Sequence, residues 1–418
     1  MLTTDNIYRY SLLGVAFLLP SPFYGGVLFF LSIAGVCWIT QKNHRQLPGS
    51  LYKNQVLLPA LLYLYIVAGF FFSENFRVAL STLSTMLPFI LFPVFIGTSP
   101  LINRKLLRKI NISFLISITA TLLFAVVYNI INIAATGISS VMLFDGYYHK
   151  LHSFGLTNIY YNWHPTYGAA FANLGIAILF HLYFTPKNSH TRSQKILMLC
   201  TALFLSTSIF LLDSLVGIGA YFILLLFLFI KQRKHRGYFN TTFKKILALS
   251  VLLIGIAILY INPFENAKID SLKNKPILIT DVQSERNLFT IRLAKWSVYY
   301  DIFTSEPFFG TTLGDIADIR KENYTKRGFD YLALHNYNAH NQYMEILAAL
   351  GVVGLSVFLM LLFSPLGWSG VNALYFPFFI ICLITFCTES VLHRQQGILF
   401  FMFFYSLYTH FNLRKNSS

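Results

Sequence analysis

Residues 346–363 read ILAALGVVGLSVFLMLLF, a run of apolar and small residues without a charged side chain. An α-helix rises about 1.5 Å per residue, so a run of this length approaches the thickness of the apolar core of a bilayer. Similar runs recur along the chain, and they are continuous rather than alternating, which excludes a β-barrel. The sequence therefore predicts an all-α polytopic membrane protein with about twelve transmembrane helices. The candidate spans are residues 8–20, 24–40, 56–73, 78–97, 111–134, 164–185, 196–212, 215–230, 246–262, 341–363, 372–388 and 396–412.

The composition agrees with lipid as the main solvent. Of the 418 residues, 56% are hydrophobic and 11% are charged, whereas soluble domains carry about 25% charged residues. An ordinary soluble enzyme is therefore excluded. The four cysteines, Cys37, Cys200, Cys382 and Cys387, lie in apolar runs without CxxC spacing, which favours packing roles over a disulfide framework or a metal site.

The net charge of +16 reflects the positions of the basic residues. Every second connection between the predicted spans is basic, with 19 Lys and Arg residues against a single acid, Asp5. Basic connections stay in the cytoplasm, so both termini are predicted to be cytoplasmic. The charge thus indicates orientation in a membrane and not nucleic-acid binding.

Two connections on the opposite side are long. The larger contains ten acidic and ten basic residues and many aromatic residues, which is typical of an ordered subdomain rather than a linker. The predicted organisation is therefore residues 1–262 with transmembrane helices 1–9 and an outer loop at 135–163, residues 263–340 as a periplasmic loop subdomain, and residues 341–418 with helices 10–12 and a cytoplasmic tail.

The densest polar cluster lies between His335 and Glu345, where the sequence reads HNYNAHNQYME. Within it, His340 can take a proton from a hydroxyl group or hold a phosphate near neutral pH. An acid at position 345, in the first turns of a membrane helix, normally faces a cavity. We therefore predict His340 and Glu345 as catalytic residues, with Asn341 and Tyr343 in support.

An alternative interpretation is a polar helix N-terminus capped by Asn338. This alternative is preferred for His335. If the stretch is helical, His340 shares a face with Tyr343 and Met344.

Basic and aromatic residues also mark the segment from Ser284 to Trp296. A predicted amphipathic helix from Leu288 to Phe303 places Arg292 and Trp296 on one face, with Lys295 beside them. Arginine suits an anionic pyrophosphate because its guanidinium makes bidentate hydrogen bonds, so Arg286 and Arg292 are candidate binding residues. The alternative is a surface helix anchored by Trp296. The stretch from Gly310 to Gly314 is predicted to be a turn.

Two further clusters lie on the same side of the predicted membrane. His164 and Tyr167 open the sixth span, and Pro165 between them suits a helix start. Glu389 and Arg394 lie between the last two spans, where they either form an ion pair or leave Arg394 to bind phosphate. Asp213 lies in a tight turn after the seventh span.

The sequence resembles the O-antigen ligase/polymerase family of bacterial cell-surface polysaccharide assembly. The resemblance rests on the topology and on motifs between about 285 and 397, in a fixed order. They are Arg292-x-x-x-Trp296, Pro307-x-x-Gly310-x-x-x-Gly314, Ala339-His340-Asn341-x-Tyr343-x-Glu345, Gly351-x-x-Gly354-Leu355 and the stretch from Glu389 to Gly397. One departure is that Leu215, rather than arginine, follows Ser214.

The resemblance implies a GT-C-like glycosyltransferase in the bacterial inner membrane with a periplasmic active site and no metal or other cofactor. The donor would be an undecaprenyl pyrophosphate-linked glycan and the acceptor the lipid A-core, in an O-antigen ligase. There are two alternatives for the acceptor. It would be another lipid-linked glycan in a polymerase, or a protein hydroxyl in an O-oligosaccharyltransferase. Membrane lipids are the other expected partners.

The implied chemistry assigns roles to particular residues. His340 would activate the acceptor hydroxyl, and Arg286 and Arg292 would hold the pyrophosphate, with Arg394 as a substitute for the missing arginine after Ser214. Glu345 or Glu389 would orient these groups. A flippase or transporter of lipid-linked sugars is the alternative outside the enzymes, but its ionisable residues should lie at the membrane midplane.

Overall fold

A computed structural model describes residues 3–21, 23–47, 49, 53–136, 164–184, 190–212, 214–233, 288–368 and 371–410. These residues form helices and turns, with no strand among them. The α-helices of this part of the chain are α1 (Thr4–Leu18), α2 (Tyr24–Thr40), α3 (Asn54–Phe70), α4 (Phe76–Met86), α5 (Pro88–Phe95), α6 (Arg104–Thr136), α7 (Pro165–Phe184), α8 (Arg192–Leu211), α9 (Leu215–Arg233), α10 (Leu288–Ser305), α11 (Ile316–Lys326), α12 (Asp330–His335), α13 (Gln342–Phe363), α14 (Tyr375–Phe386) and α15 (Gln395–Tyr408).

Helical segments that can cross a membrane confirm the polytopic membrane character. Five segments of the described chain are long and apolar enough: Phe76–Phe95, Arg104–Tyr128, Pro165–Phe184, Arg192–Leu211 and Gln342–Gly367. Each predicted span within the described residues coincides with helix. The ninth span, 246–262, lies outside the described residues, as does most of the loop at 135–163, and the total of twelve and the GT-C-like fold remain predictions.

Two helix boundaries differ from the sequence prediction. The fourth span is divided at Leu87, because Pro88 begins α5 and has no N–H to continue the hydrogen bonds of α4. Helix α6 begins at Arg104, so the predicted connection Arg104–Lys109 is helical.

The described chain divides into two compact units. The first contains Met1–Ala34, Arg104–Asp270 and Ala373–Thr385, and its helix α7 packs against α6, α8 and α9. The second contains Gly35–Asn103, Ser271–Asn372 and Phe386–Ser418, and in it α13 packs against α3 and α10. The predicted boundaries at 262 and 340 remain predictions.

Burial identifies the central helices. Most residues of α7 in the first unit and nearly every residue of α15 in the second are buried, as expected for helices that are apolar on all sides. All four cysteines are free thiols; Cys37 and Cys382 are buried, whereas Cys200 and Cys387 are exposed.

Helix α13 is interrupted at Gly351, whose φ of 62° and ψ of −169° are not helical. The segment 307–312, which includes part of the predicted turn, satisfies the backbone groups that the break leaves without helical partners. The amides of Thr311 and Thr312 donate to the carbonyls of Ala348 and Ala349, and the amides of Val352 and Val353 donate to the carbonyls of Pro307 and Phe308. The loop therefore supplies hydrogen-bond partners for backbone groups of α13 on both sides of Gly351.

Both sides of this contact require glycine. Gly310 and Gly351 have positive φ, and a Cβ on Gly351 would collide with the carbonyl oxygen of Phe308. A Cβ on Gly310 would collide with the backbone of Ala349. The phenol of Tyr65 donates to the carbonyls of Phe309 and Leu350, which adds a tie from α3.

Asp315 joins the loop after α10 to the connection between α3 and α4. Its carboxylate accepts hydrogen bonds from the Ser73 hydroxyl at 2.7 Å and from the amides of Asn75 and Glu74 at 2.9 and 3.1 Å. Burial alone would raise the pKa of Asp315, but these hydrogen bonds, together with one from Thr312, lower it.

Candidate active site

The polar cluster before α13 forms an irregular strap, residues 336–341. Asn341 is the N-cap of α13, because its side-chain oxygen accepts from the amides of Tyr343 and Met344. The predicted cap, Asn338, is wrong, since its side chain instead accepts from the amide of His340 at 3.1 Å.

The same geometry corrects the predicted helical face. His340 precedes α13 and has a φ of 45°, so it does not share a helical face with Tyr343. The Tyr343 ring packs among aromatic side chains, 6.1 Å from Phe358 and 6.3 Å from Phe386 between ring centroids. His335 is the last residue of α12 rather than part of a helix N-terminus.

His340 and Glu389 form an acid–base pair. Nδ1 of His340 lies 3.1 Å from Oε2 of Glu389, and both side chains are partly buried, with 28% and 17% exposure. Because a carboxylate only accepts hydrogen bonds, Nδ1 carries the proton, and in the neutral ring Nε2 is then the basic nitrogen. One of the two predicted alternatives paired Glu389 with Arg394; the structure places Glu389 beside His340. Arg394 is exposed and is the N-cap of α15.

Glu345 is buried, with 3% exposure. Its Oε1 accepts from the Tyr299 hydroxyl at 3.0 Å and lies 3.6 Å from Nη1 of Arg320. Its Oε2 accepts from the Ala339 amide at 3.1 Å and from the Ser390 hydroxyl at 3.2 Å. The carboxylate is therefore surrounded by donors, as a buried charge requires.

These bonds connect the two segments that carry the acid–base pair. Ala339 directly precedes His340, and Ser390 directly follows Glu389. Oε2 of Glu345 therefore holds the backbone next to His340 and the side chain next to Glu389. Trp296 also contributes, because its Nε1 donates to the carbonyl of Ala339 at 3.0 Å. Glu345 thus positions the pair.

Arg320, on α11, extends the network to the start of the strap. Its Nε and Nη2 donate to the side chain and carbonyl of Asn336 at 2.7 and 2.8 Å, and Nη1 donates to Tyr299. Burial opposes the charge of Arg320, but Tyr299 and Glu345 raise its pKa. The guanidinium therefore remains charged. Arg320 is not recognisable from the sequence, because nothing in the polar pattern of α11 distinguishes it from its exposed neighbours.

Helix α10 differs from the predicted interfacial helix. Lys295 is buried, with 5% exposure, and its Nζ lies 4.7 Å from the centroid of the Tyr337 ring, a cation–π contact. Burial lowers the pKa of Lys295 to about 8, with further lowering by Arg292 and Arg320 and an opposing effect of Glu389. Arg292 itself is half-buried.

The remaining predicted residues are placed elsewhere or not described. Arg286 and Asp213 lie outside the described residues. His164 and Tyr167 belong to the first unit, at the start of α7, with ring centroids 6.0 Å apart. Ser214, in the same unit, donates to the hydroxyl of Thr166 at 3.3 Å.

These features define a membrane protein with an acid–base pair at the polar end of one apolar helix. Residues 196–359 match the family model described as O-antigen ligase, which confirms the resemblance to this family over that part of the chain. That family implies an enzyme of glycan transfer of the ligase or polymerase type. No curated protein matches the chain.

The matched range covers part of the site. It contains α10 to α12 and most of α13, including His340, Glu345 and Arg320, whereas Glu389 and Ser390 lie beyond it. The sequence already indicates Glu389, and the structure adds its contact with His340 and the hydrogen bond from Ser390 to Glu345.

Proposed function

We propose that this protein transfers a glycan from undecaprenyl pyrophosphate to an acceptor hydroxyl, with His340 as the catalytic base. The observation that carries the proposal is the 3.1 Å contact between His340 and Glu389. A carboxylate on Nδ1 orients the ring, fixes its tautomer and stabilises the imidazolium that forms when Nε2 takes a proton. This arrangement suits the activation of a hydroxyl nucleophile.

The proposed step is a direct displacement with inversion. Nε2 of His340 takes the proton of the acceptor hydroxyl while its oxygen forms a bond to the anomeric carbon of the donor. The bond from that carbon to the pyrophosphate oxygen breaks, and the pyrophosphate leaves with the electron pair. Because the leaving group is already activated, catalysis needs positioning, proton removal and charge neutralisation, and the proposal uses no metal or other cofactor.

Arginine side chains are proposed to neutralise the departing pyrophosphate. Arg292 is half-buried and acts electrostatically on Lys295, as Glu389 does, which supports its location in the same charged region. Arg394 is exposed at the start of α15 and is a second candidate. Arg286 remains a candidate from the sequence.

Glu345 is proposed to position the pair rather than to react. Its carboxylate is buried and holds hydrogen bonds from Tyr299, Ala339 and Ser390, so proton exchange with a substrate would break the network. This assignment revises the catalytic role expected from the sequence.

The proposed setting is the inner membrane, with both termini in the cytoplasm and the site facing the periplasm, as the distribution of basic residues supports. The proposed acceptor is the lipid A-core, as for an O-antigen ligase. Another lipid-linked glycan or a protein hydroxyl would make the protein a polymerase or an O-oligosaccharyltransferase. His164 and Tyr167 remain predicted supporting residues.

The test is glycan transfer by the purified protein in nanodiscs that contain an undecaprenyl pyrophosphate-linked glycan and lipid A-core. We expect His340→Ala and Glu389→Gln to reduce the transfer rate at least about a hundredfold, the lower range for general acid–base catalysis. His44→Ala, an exposed histidine on a different segment, is the control and should retain the wild-type rate.

Two outcomes would contradict the proposal. One is full transfer by His340→Ala. The other is movement of the lipid-linked glycan across a liposome membrane by the wild-type protein without a new glycosidic bond, which would indicate a flippase. Transfer to a second lipid-linked glycan but not to lipid A-core would assign the protein as a polymerase.

A further inference from the structure

A row of aromatic rings leads from an exposed surface to His340. The rings of Tyr331 and His335 lie 4.8 Å apart between centroids, and those of His335 and Tyr337 lie 5.3 Å apart. Tyr337 is in turn 6.4 Å from His340. Tyr331 is 42% exposed and His335 is also exposed, so the outer part of the row is open to a ligand.

Packing does not account for the row. The short helix α12 is anchored by Leu332 and Ala333, which are buried, whereas Tyr331, Leu334 and His335 point outward. Scattered exposed apolar residues are ordinary on protein surfaces, but a contiguous group that ends at a catalytic residue indicates an interaction site.

The row is held in place before any ligand binds. The hydroxyls of Tyr331 and Tyr337 lie 3.4 Å apart, and the Tyr324 hydroxyl donates to the carbonyl of Tyr337 at 3.1 Å. The ammonium group of Lys295 lies against the Tyr337 ring at 4.7 Å. Because the rings are already ordered, a ligand that stacks on them loses little of its binding energy to ordering the protein.

The chemistry of these side chains suits sugar rings. A pyranose presents a face of C–H groups and a rim of hydroxyls. A flat aromatic ring covers the C–H face and removes apolar surface from water, while a phenol or imidazole hydrogen-bonds the hydroxyls. Tyrosine and histidine provide both kinds of contact, which leucine or phenylalanine would not.

We propose that Tyr331, His335 and Tyr337 form a carbohydrate subsite, which seats pyranose rings of a glycan substrate beside His340. This inference rests on the proposed function and adds to it the part of the surface that recognises the sugar. The same chemistry would serve the glycan of the donor or that of the acceptor, and the two sources are separated by measurement.

The kinetic test uses Tyr331→Ala, His335→Ala and Tyr331→Phe in the nanodisc transfer assay, with donor and acceptor concentrations varied separately. Loss of one stacked ring should raise KM for one of the two glycans about tenfold, with kcat nearly unchanged. Tyr331→Phe should retain most of the affinity because the ring remains. Leu334→Ala is the matched control, since Leu334 is on the same helix and is 78% exposed.

The substrate whose KM rises identifies the source of the glycan. An unchanged KM for both substrates would overturn the proposal, as would an equal effect of Leu334→Ala. Unaltered thermal unfolding midpoints of the variants would separate a binding defect from loss of structure.

A binding measurement separates this inference from the proposed function. His340→Ala protein is titrated with two soluble oligosaccharides, the glycan released from the donor and the delipidated core. If the wild-type protein transfers nothing but one oligosaccharide binds and Tyr331→Ala weakens it, the proposed function fails and the subsite stands. If transfer occurs and neither oligosaccharide binding nor KM depends on Tyr331, the subsite alone is wrong.

Discussion

The buried pair of Glu345 and Arg320 makes a quantitative prediction about stability. Their side chains are only 4% and 6% exposed and lie 3.6 Å apart. Glu345→Leu leaves the guanidinium buried without this carboxylate, and breaking such a pair from one side costs about 3–5 kcal/mol. It also removes the acceptor of the Ala339 amide, so we expect a loss of about 4 kcal/mol in the free energy of unfolding.

The assay is denaturant or thermal unfolding of the purified protein in detergent, with a double-mutant cycle. Arg320→Met alone should also destabilise, because it leaves the carboxylate of Glu345 without its cation. The double variant Glu345→Leu/Arg320→Met should lose less stability than the sum of the two single variants, by about 2 kcal/mol, because neither charge is then left buried alone.

The neighbouring exposed pair of Glu322 and Lys326 provides the matched control. It lies on the same helix α11 as Arg320, with 62% and 66% exposure. Lys326→Met should therefore cost only about 0.5 kcal/mol or less. The reasoning is refuted if Glu345→Leu costs no more than Lys326→Met, or if the two buried substitutions are additive.

Two further predictions concern the backbone and a buried base. Gly351→Ala should reduce the free energy of unfolding by at least about 1–3 kcal/mol, because of its positive φ and its contact with the loop, whereas Gly367→Ala, where a Cβ would meet nothing within 4 Å, should change it little in the same unfolding assay. Lys295→Met should stabilise the protein at pH 7, because the folded-state pKa of about 8 lies below the ordinary 10.5 and the buried charge therefore costs up to about 3 kcal/mol. Between these two pKa values the unfolded state binds more protons than the folded state, so wild-type stability rises with pH in that window. The stability gain of Lys295→Met should therefore disappear above pH 10.5, and a gain that persists there would contradict the lowered pKa of Lys295.

The sequence predicts the helices and part of the site for identifiable reasons. Apolar runs determine the membrane helices directly, because lipid exposure leaves few alternatives. His340 and Glu345 are recognisable because polar residues at the entrance to an apolar span have a high free-energy cost of burial and usually mark a functional site. The division at Leu87 depends on a single proline, Pro88, inside an otherwise apolar run.

The remaining features depend on tertiary contacts. Glu389 reaches His340 across 49 positions of sequence, and no local pattern joins them. Arg320 is buried although Lys321 beside it is exposed, and Lys295 is buried although Arg292 on the same helix is only half-buried. The helix break at Gly351 lies within an unbroken apolar run of the sequence. The groups that bond to it are backbone groups of a loop rather than side chains, so the residue types do not indicate the break.

The contact between Gly310 and Gly351 also constrains how this region can vary. At each position the obstacle to a side chain is the backbone of the other segment, and backbone atoms cannot be made smaller by substitution elsewhere. The clash caused by a larger residue at one position therefore cannot be relieved by a substitution at the other. The register between loop and helix is fixed, and insertions or deletions should be tolerated only outside the stretch that exchanges hydrogen bonds with α13.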